Sequence, residues 1–436
     1  MKRPGRNVGE TARRVTRRGL LLGGMQAAVI GVLIGRMRHL QVAEADRYRL
    51  LAEENRINMR LIPPTRGLIF DRNGVILAEN VQTYRIVIVR EEAGDAAVVL
   101  GRLQQLLGFD DETLDRALAE VARRSAFVPV TLLERVSWEE VSRVSVNAPA
   151  LPGVTAEVAL TRNYPLATDF THVVGYVGPV SDYDLKRLPD PDPVLQIPRF
   201  QIGKFGVEAR LEDQLRGRAG TRRIEVNAAG RLIRELERDG GTPGAELQLT
   251  VDATLQNFVQ ARLGDESAAA VVMDVQTGDL LASGSAPSFD PNKFVRGISG
   301  PDYRALLEND HRPLSSKSVQ GLYPPGSTFK MVVALAALEA GVISPTETVY
   351  CPGYYQQSGR RFHCWKRGGH GHMNLLDSLS QSCDVFYYEV AQRVGIERIA
   401  AMARRLGLGV AHDLPLSGVA EGLTPDPAWK VARRGA

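Results

Sequence analysis

Two serines and a lysine are the residues of this sequence best suited to covalent chemistry. Ser327 and Lys330 lie three residues apart in the segment Pro-Pro-Gly-Ser-Thr-Phe-Lys, and Ser382 follows 52 residues after the lysine. On a helix, residues three apart lie on one face, so the lysine is within reach of the Ser327 hydroxyl. The lysine could act as the base that activates Ser327, and Ser382 could relay a proton to a leaving nitrogen. Ser-x-x-Lys alone is a weak signal, but this combination predicts an acyl-transfer site.

Ser327 and Lys330 have to be held in place by the segment that follows them. Pro-Pro-Gly ends the preceding element, and Ser327 is well placed to cap a helix over residues 328–340. Gly341 is the predicted C-terminal cap of that helix. Its apolar residues surround the helix axis instead of forming one stripe, which predicts a buried helix. Residues 268–283 indicate a strand–turn–strand hairpin that precedes it.

A second group of residues in the same region could bind a metal. All three cysteines of the chain fall within 33 residues of each other, with histidines among them. Four residues supply three thiolates and an imidazole, the ligand set of a structural zinc site: Cys351, Cys364, His370 and Cys383. His363 and His372 are rivals of His370 for the nitrogen position. The alternatives are unconnected buried thiols or a disulfide, although an odd cysteine count makes a disulfide awkward in an oxidising compartment.

The remaining segments indicate an α+β fold with more than one domain. With 436 residues, of which 44% are hydrophobic, the chain can bury two cores. Asn73-Gly74 between two apolar runs predicts a hairpin. Residues 95–150 are predicted to be mostly helical, and the Gly-rich segment 239–244 predicts a domain boundary. We therefore expect one mixed α/β domain over residues 41–245 and a second α/β domain over residues 246–436.

Charge is concentrated at the N-terminus, although the net charge is only +4. Residues 1–18 carry seven basic side chains and one acid, and residues 19–35 carry no charge. This pattern favours a transmembrane signal anchor over residues 19–40, with the basic tail 1–18 in the cytoplasm and the bulk of the chain outside. The alternative is a cleaved signal peptide, but no clear small-x-small cleavage site follows the run. Because the anchor accounts for the basic tail, we expect no binding to nucleic acid.

Further motifs give the sequence a family resemblance that covers nearly the whole chain. The motifs are Arg66-Gly67…Asp71-Arg72-Asn73-Gly74, Arg162-x-Tyr164-Pro165…Gly175-Tyr176-Val177 and Gly203-Lys204-x-Gly206-x-Glu208. Together with the Ser327 segment, they resemble class B penicillin-binding proteins, and within that class the penicillin-binding protein 2 group of the elongation machinery. The resemblance implies an elongated pedestal domain of the dimerisation type over residues 41–245. A serine β-lactamase/transpeptidase-like domain is then implied over residues 246–436.

The resemblance also implies an activity and site residues. The activity is that of a peptidoglycan D,D-transpeptidase, which cross-links stem peptides during cell-wall elongation through an acyl-serine intermediate. Ser327 would be the acylated nucleophile, Lys330 its base and Ser382 a proton relay, while Asp384 lies where the class more often has asparagine. Some elongation-type relatives carry zinc in the loop near the active site, which adds support for one structural Zn²⁺ at the four residues named above.

Partners and a location follow from the same resemblance. The implied ligands are stem peptides that end in D-Ala-D-Ala and β-lactam antibiotics. The implied protein partners are a SEDS-family glycan polymerase and other membrane proteins of the elongation complex. The implied location is the bacterial inner (cytoplasmic) membrane, crossed once, with the bulk of the chain in the periplasm.

In one respect the sequence departs from the family pattern. The family's third motif, Lys-[Ser/Thr]-Gly, holds the substrate carboxylate and does not occur after Asp384. We therefore expect an incomplete transpeptidase domain and a chain that is inactive as written. A β-lactamase is disfavoured because no Glu-x-x-x-Asn pattern follows Asp384. The alternative from another functional class is a non-catalytic membrane scaffold that regulates a SEDS-family polymerase.

Overall fold

The computed structural model describes residues 24–26, 28–39, 57–124, 126, 129–187, 190–197, 200–226 and 232–435. The chain divides into two compact units. The first combines residues up to 64 with 83–159 and 218–242, and the second combines 65–82, 160–217 and the chain from 243 onward. Two segments that precede residue 245 thus fold with the C-terminal part. The sequence-domain boundary at residue 245 stays a prediction.

The strands are short apart from β3 and β5, and most pair antiparallel. In chain order, the strands of the described residues are β1 (Ile57–Ile62), β2 (Ile69–Phe70), β3 (Ile76–Ile88), β4 (Val130–Val136), β5 (Val154–Asn163), β6 (Val177–Pro179), β7 (Gln201–Gly203), β8 (Gly220–Val226), β9 (Leu232–Asp239), β10 (Leu247–Gln248), β11 (Ala268–Met273), β12 (Leu280–Ala286), β13 (Val349–Cys351), β14 (Tyr354–Gln357), β15 (Arg360–His363) and β16 (Gly371–Met373).

The helices are distributed along the whole described chain. From residue 57 onward they are α1 (Arg90–Ala93), α2 (Ala96–Leu107), α3 (Asp111–Arg123), α4 (Trp138–Val146), α5 (Thr171–Val174), α6 (Asp182–Arg187), α7 (Gly206–Arg210), α8 (Glu212–Arg216), α9 (Ala253–Leu263), α10 (Asn292–Val295), α11 (Gly300–Leu307), α12 (Lys317–Gln320), α13 (Lys330–Glu339), α14 (Leu375–Ser380), α15 (Asp384–Val394), α16 (Ile396–Arg405) and α17 (Pro427–Arg434). The mixture of helices and strands agrees with the predicted α+β class.

The first unit combines two sheets with three capped helices. Strand β8 pairs antiparallel with β1 and with β9, and the end of β3 pairs with β4 and β5. Helices α2, α3 and α4 begin after Asp95, Asp110 and Ser137, whose side chains accept hydrogen bonds from first-turn backbone N–H groups. The prediction of a mostly helical stretch over residues 95–150 is confirmed, except that β4 interrupts it.

A buried ionic node lies in the second unit and joins the three motifs of the family resemblance. We define the ionic node as Arg66, Arg162, Tyr164, Glu208 and Glu212. Glu208 is fully buried, and its Oε2 accepts from Arg66 at 2.6 Å. Its Oε1 accepts from Arg162 at 2.7 Å and from the Tyr164 hydroxyl at 3.1 Å. Arg66 also donates to Glu212 at 2.7 Å, so two positive and two negative charges balance within the protein.

Electrostatics of the node follow from these contacts. Burial alone would lower the pKa of Arg66, but the carboxylates of Glu208 and Glu212 outweigh it and raise that pKa well above its ordinary value. Burial, and after it the Glu208 carboxylate, raise the pKa of the Tyr164 phenol. Arg66 is therefore charged and the Tyr164 phenol is neutral under all physiological conditions.

The C-terminal part of the second unit positions the candidate site. Strands β11 and β12 form an antiparallel hairpin, which confirms the prediction over residues 268–283, and α9 packs against β12. Helix α13 packs against α15 and α16. Their shared apolar core includes Val333, Phe386 and Val390, and it extends to the three buried cysteines.

Helix α13 differs from its prediction in two ways. Its α-helical part begins at Lys330, after a 3₁₀ turn at Gly326–Phe329, and Ser327 makes no capping hydrogen bond. The predicted cap is wrong because the Ser327 hydroxyl is engaged by another serine. The prediction of burial all round is also wrong, since the side chains of Met331, Leu335 and Leu338 are exposed. The described helices that contact α13 pack against its opposite face.

Most of the predicted membrane anchor over residues 19–40 lies within the described residues. Residues 24–26 and 28–39 of this span are helical. No helix among the described residues has the length and apolar character needed to cross a membrane.

Candidate active site and metal centre

The hydroxyls of two serines and the amine of Lys330 form one hydrogen-bonded chain. The 3₁₀ turn holds Ser327 at the solvent-exposed start of α13, and Lys330 is the first residue of that helix. Lys330 Nζ donates to Ser382 Oγ at 2.9 Å, and Ser382 Oγ donates to Ser327 Oγ at 2.8 Å. Ser382 therefore lies between the two residues that the sequence spacing pairs directly.

Oxygen atoms surround the ammonium group of Lys330. Besides Ser382 Oγ, Nζ donates to the Ser382 carbonyl at 2.8 Å and to Asp384 Oδ1 at 2.6 Å. Only 11% of the lysine side chain is exposed. The ring of Tyr387 lies on another side, with its centroid 5.8 Å from Nζ, within the range of a cation–π contact. All four predicted catalytic residues, Asp384 included, are thus brought together.

A tight turn before α15 presents Ser382 to the lysine. Ser382 has a φ of +52°, in the left-handed region that residues other than glycine and asparagine rarely adopt. Such a conformation costs about 1–2 kcal/mol. The Cys383 N–H donates to the Ser378 carbonyl at 2.9 Å, which closes the turn from the inside. The surrounding contacts must therefore hold Ser382 in this conformation.

Directly behind this turn, the four predicted metal ligands converge. One ligand atom from each of Cys351, Cys364, His370 and Cys383 lies within 4.8 Å of the others. His370 Nδ1 is 3.6 Å from the Cys351 sulfur and 3.5 Å from the Cys364 sulfur. In a tetrahedral zinc site, Zn–S and Zn–N bonds of about 2.3 and 2.0 Å place sulfur and nitrogen ligands about 3.5 Å apart. The measured distances fit that geometry.

The positions of the three histidines decide which of them belongs to the metal-ligand cluster. His363 ends β15 and His372 lies on β16, where its ring packs against Tyr350, and both side chains are exposed. Neither belongs to the cluster, whereas His370 directs Nδ1 at two thiols. All three cysteines are free thiols and are buried.

Burial and backbone N–H groups act in opposite directions on the thiols of the cluster. Burial raises the pKa of the Cys383 thiol to about 12, with the other two thiols acting in the same direction. At Cys364 burial opposes the thiolate, but backbone N–H groups beginning with that of Asp384 outweigh it and lower the pKa. Burial, and next the charge of Lys366, lower the pKa of His370. A divalent cation would compensate the buried thiolates, because cysteine binds metals as thiolate.

Two residues at the site are absent from the sequence prediction. Trp365 donates its backbone N–H to Asp384 Oδ2 at 3.0 Å and its indole N–H to the Gln381 carbonyl at 3.0 Å. Tyr387 faces Lys330 and hydrogen-bonds to Ser378. The only sequence signals for them are that Trp365 follows a predicted metal ligand and that Tyr387 lies one helical turn after Asp384.

Comparisons with known proteins agree with the geometry of the site. The sequence profile of the penicillin-binding protein dimerisation domain matches residues 61–249, and that of the penicillin-binding protein transpeptidase domain matches residues 268–435. The peptidoglycan D,D-transpeptidase MrdA of Escherichia coli K12 is 37% identical over 406 residues, which cover 92% of this chain and 64% of that protein. The chain therefore spans just under two thirds of the length of this relative.

Solved structures give the same family. Penicillin-binding protein 2 of Helicobacter pylori, in a complex with MreC, superposes with a TM-score of 0.77 at 28% identity, covering 86% of this chain and 70% of that one. A structure of a peptidoglycan synthase complex, described as coordinating polymerization and crosslinking, gives 0.62 at 30% identity. It covers 96% of this chain and 72% of that one.

Proposed function

Because the chain belongs to the penicillin-binding protein family, with a dimerisation domain followed by a transpeptidase domain, we propose that Ser327 is the acylated nucleophile of a peptidoglycan D,D-transpeptidase. The observation that carries the proposal is the unbroken chain from Lys330 Nζ through Ser382 Oγ to Ser327 Oγ, with steps of 2.9 and 2.8 Å. These distances allow proton transfer in either direction, because hydroxyl hydrogens rotate to suit their partners.

Acylation follows from this arrangement. Ser327 Oγ attacks the carbonyl carbon of the penultimate D-Ala of a stem peptide, and its proton passes through Ser382 to Lys330 Nζ, which accepts it in the amine form. The bond to the terminal D-Ala breaks, and the proton returns from Lys330 through Ser382 to the leaving nitrogen. An amine of a neighbouring strand then attacks the ester and loses a proton to the same relay, which returns a proton to Ser327 Oγ as the ester bond breaks. No proton or electron pair is left over.

Asp384 acts on the lysine. Its Oδ1 lies 2.6 Å from Lys330 Nζ, so its carboxylate stabilises the ammonium that forms when the lysine accepts the serine proton. The Oδ2 atom accepts the Trp365 N–H, which fixes the carboxylate orientation. An asparagine at this position could orient the lysine as well, but it would not stabilise the positive charge to the same degree.

Labelling with a fluorescent penicillin tests the proposal. A penicillin acylates a nucleophilic serine and stays attached, so mass spectrometry of the digested protein should find the adduct on Ser327. Ser327→Ala should abolish it, and Ser380→Ala is the matched control, since Ser380 is an exposed serine nearby that bonds only to Asp377. An adduct that persists in Ser327→Ala would contradict the proposal, and no adduct at all would favour the non-catalytic scaffold.

We further propose that the cluster of Cys351, Cys364, His370 and Cys383 binds one structural Zn²⁺. Support comes from the ligand set, from the sulfur–nitrogen distances of 3.5 and 3.6 Å, and from the burial of all three thiols. A zinc ion there would supply a cross-link between the loop 351–372 and the turn that carries Ser382, not a Lewis acid for the substrate. Cys383 lies between Ser382 and Asp384, which ties the metal ligands to the proton relay.

Metal analysis tests the zinc proposal. The purified chain should contain one zinc per molecule, and Cys364→Ser should lose the zinc together with thermal stability. His363→Ala is the matched control, because His363 is exposed and outside the cluster. A Cys364→Ser protein that keeps one zinc and the parent melting temperature would contradict the proposal.

Partners and location are proposed from the relatives. The H. pylori relative forms a complex with MreC, and another relative belongs to a peptidoglycan synthase complex. We propose that this chain, anchored in the inner membrane through residues 19–40, likewise works beside a SEDS-family glycan polymerase and other proteins of the elongation complex. The test is co-purification of the full chain with that polymerase from membranes.

A further inference from the structure

The turn over residues 381–384 is strained and is held from two sides. On one side, Lys330 Nζ binds the carbonyl and the hydroxyl of Ser382 and a carboxylate oxygen of Asp384. Those contacts depend on Ser382 keeping its φ of +52°. Without further support the turn could relax and withdraw the Ser382 hydroxyl from the relay.

Trp365 holds the turn from the other side. Its indole Nε1–H donates to the Gln381 carbonyl, one residue before Ser382, and its backbone N–H donates to Asp384, two residues after Ser382. Both distances are 3.0 Å. Trp365 thus contacts the turn on either side of the relay serine, at two oxygen atoms that Lys330 does not bind, the Gln381 carbonyl and Asp384 Oδ2.

Trp365 is itself held in place by its neighbours. The N–H of the preceding residue, Cys364, donates to the Gly353 carbonyl at 2.9 Å. The indole ring packs edge-on against His370, with ring centroids 5.3 Å apart. Its position is therefore defined by the loop that carries the cysteines.

A role in core packing does not explain this tryptophan. Its side chain is 64% exposed, so the ring buries little apolar surface, although burial is the usual contribution of a tryptophan to stability. The exposed ring does supply one N–H donor, and this N–H donates a hydrogen bond to the Gln381 carbonyl.

We infer that Trp365 is a positioning residue, whose indole N–H keeps Ser382 in line between Lys330 and Ser327. The inference rests on the acyl-transfer function proposed above. Loss of the indole hydrogen bond slows the transfer of the Ser327 proton, because the relay serine spends less time in the strained conformation. Initial binding of the ligand is not affected, since the indole N–H is directed at the turn.

The test uses Trp365→Phe, which keeps an aromatic ring and the backbone N–H but removes the indole donor. The matched control is Trp138→Phe, because Trp138 has a similar exposure of 67% and lies in the first unit. Acylation by a fluorescent penicillin at varied concentration separates the dissociation constant of the first complex from the acylation rate constant. For Trp365→Phe we expect a rate constant about five- to tenfold lower, the size of one hydrogen bond, with the dissociation constant within about twofold of the parent. Trp138→Phe should leave both unchanged.

Hydrogen–deuterium exchange provides a readout that does not need acylation. In Trp365→Phe, backbone exchange in residues 381–384 should speed up about fivefold or more, with the melting temperature and zinc content unchanged. An unchanged acylation rate constant with unchanged exchange would overturn the inference. So would a weaker dissociation constant with an unchanged rate constant, because the indole would then be a ligand contact. If Ser327 of the parent is not acylated, the proposed function fails, while the exchange data still decide the role of Trp365.

Discussion

The ionic node and the metal-ligand cluster are two buried polar sites in the same unit, and they are completed in different ways. In the node, Glu208 is fully buried between Arg66 and Arg162, and every charge has an opposite charge from the protein beside it. In the cluster, three thiols and an imidazole point at one another, and none of them can supply a positive charge at neutral pH. The charges of the node are balanced by protein groups, although Arg162 Nη2 and Glu212 Oε1 make no hydrogen bond to a described residue. The charge of thiolates in the cluster would have to be balanced by a cation.

The difference indicates what each site does. A charge-balanced network needs no counter-ion from solution, so it suits a fixed structural joint between the segments 65–82 and 160–217. With the proposed zinc bound, the Ser382 turn would depend on the metal, because Cys383 is part of both. The node would then be a fixed part of the fold, while the geometry of the relay would depend on a ligand.

Breaking the node should give the largest loss of stability. Glu208→Gln keeps the shape of the side chain but removes the carboxylate that pairs with the buried Arg162 and leaves Arg66 paired with Glu212. Removing one partner of a buried ion pair costs about 3–5 kcal/mol. The measurement is urea unfolding of the parent and the variant. A loss below about 1 kcal/mol would show that the node is solvated and would remove the contrast with the cluster.

Acid should produce the next largest loss of stability, through a third buried polar group, the side chain of His172. Its side chain is 5% exposed, and neither ring nitrogen makes a hydrogen bond to a described residue. The rings of Phe205 and Phe289 pack edge-on against it. Burial, and then the charge of Lys317, lower the pKa of His172 to about 4, although the Pro287 carbonyl acts in the opposite direction. This group is satisfied neither by a charge nor by a metal, so it must stay neutral.

The sign of the pH effect follows from that shift. The folded protein holds His172 neutral, whereas the unfolded chain protonates it near its ordinary pKa of 6.5. The stability that this residue contributes is therefore full above pH 6.5 and is lost as the pH falls toward 4, by up to about 3 kcal/mol. Unfolding of the parent and of His172→Phe should be compared at pH 7 and pH 4.5. Equal losses in the two proteins would show that other groups account for the acid sensitivity.

Breaking a surface ion pair should give the smallest loss of stability. This loss provides a reference value for the loss expected at the node. Arg405 contacts Glu339 with both side chains more than half exposed, at 62% and 58%. Exposed pairs contribute about 0.2–1 kcal/mol, so Glu339→Gln should shift the free energy of unfolding by less than 1 kcal/mol. If Glu339→Gln and Glu208→Gln destabilise the protein equally, burial is not what distinguishes the node.

The sequence predicts the chemistry of the candidate site better than its architecture. Ser327 and Lys330 could be paired from their spacing, because residues three apart on a helix share a face. Ser382 and Asp384, which lie 52 and 54 residues after the lysine, were assigned through the family resemblance. The metal ligands could be predicted from residue type and clustering, and the choice of His370 over His363 and His372 holds in the structure.

Contacts between distant segments could not be predicted in the same way. Arg66 meets Glu208 across 142 residues, and nothing in either motif indicates that they form one ion pair. Trp365 was missed because its partner is a backbone carbonyl, which leaves no mark on the sequence. The apolar residues around α13 predicted burial on all sides, but their pattern cannot show which neighbours cover the Met331 face. Strand β4 could not be predicted, because the residues on both sides of it have helical periodicity.

One measurement tests the central claim, that the metal-ligand cluster and the acyl site are a single functional unit. The rate of Ser327 acylation by a fluorescent penicillin is measured on the zinc-loaded chain, after removal of zinc by a chelator, and after zinc is added back. We expect the rate to fall about tenfold or more on removal, as for other groups that orient a reactive residue, and to recover with one equivalent of zinc. A zinc-free protein that is acylated at the parent rate would contradict the account.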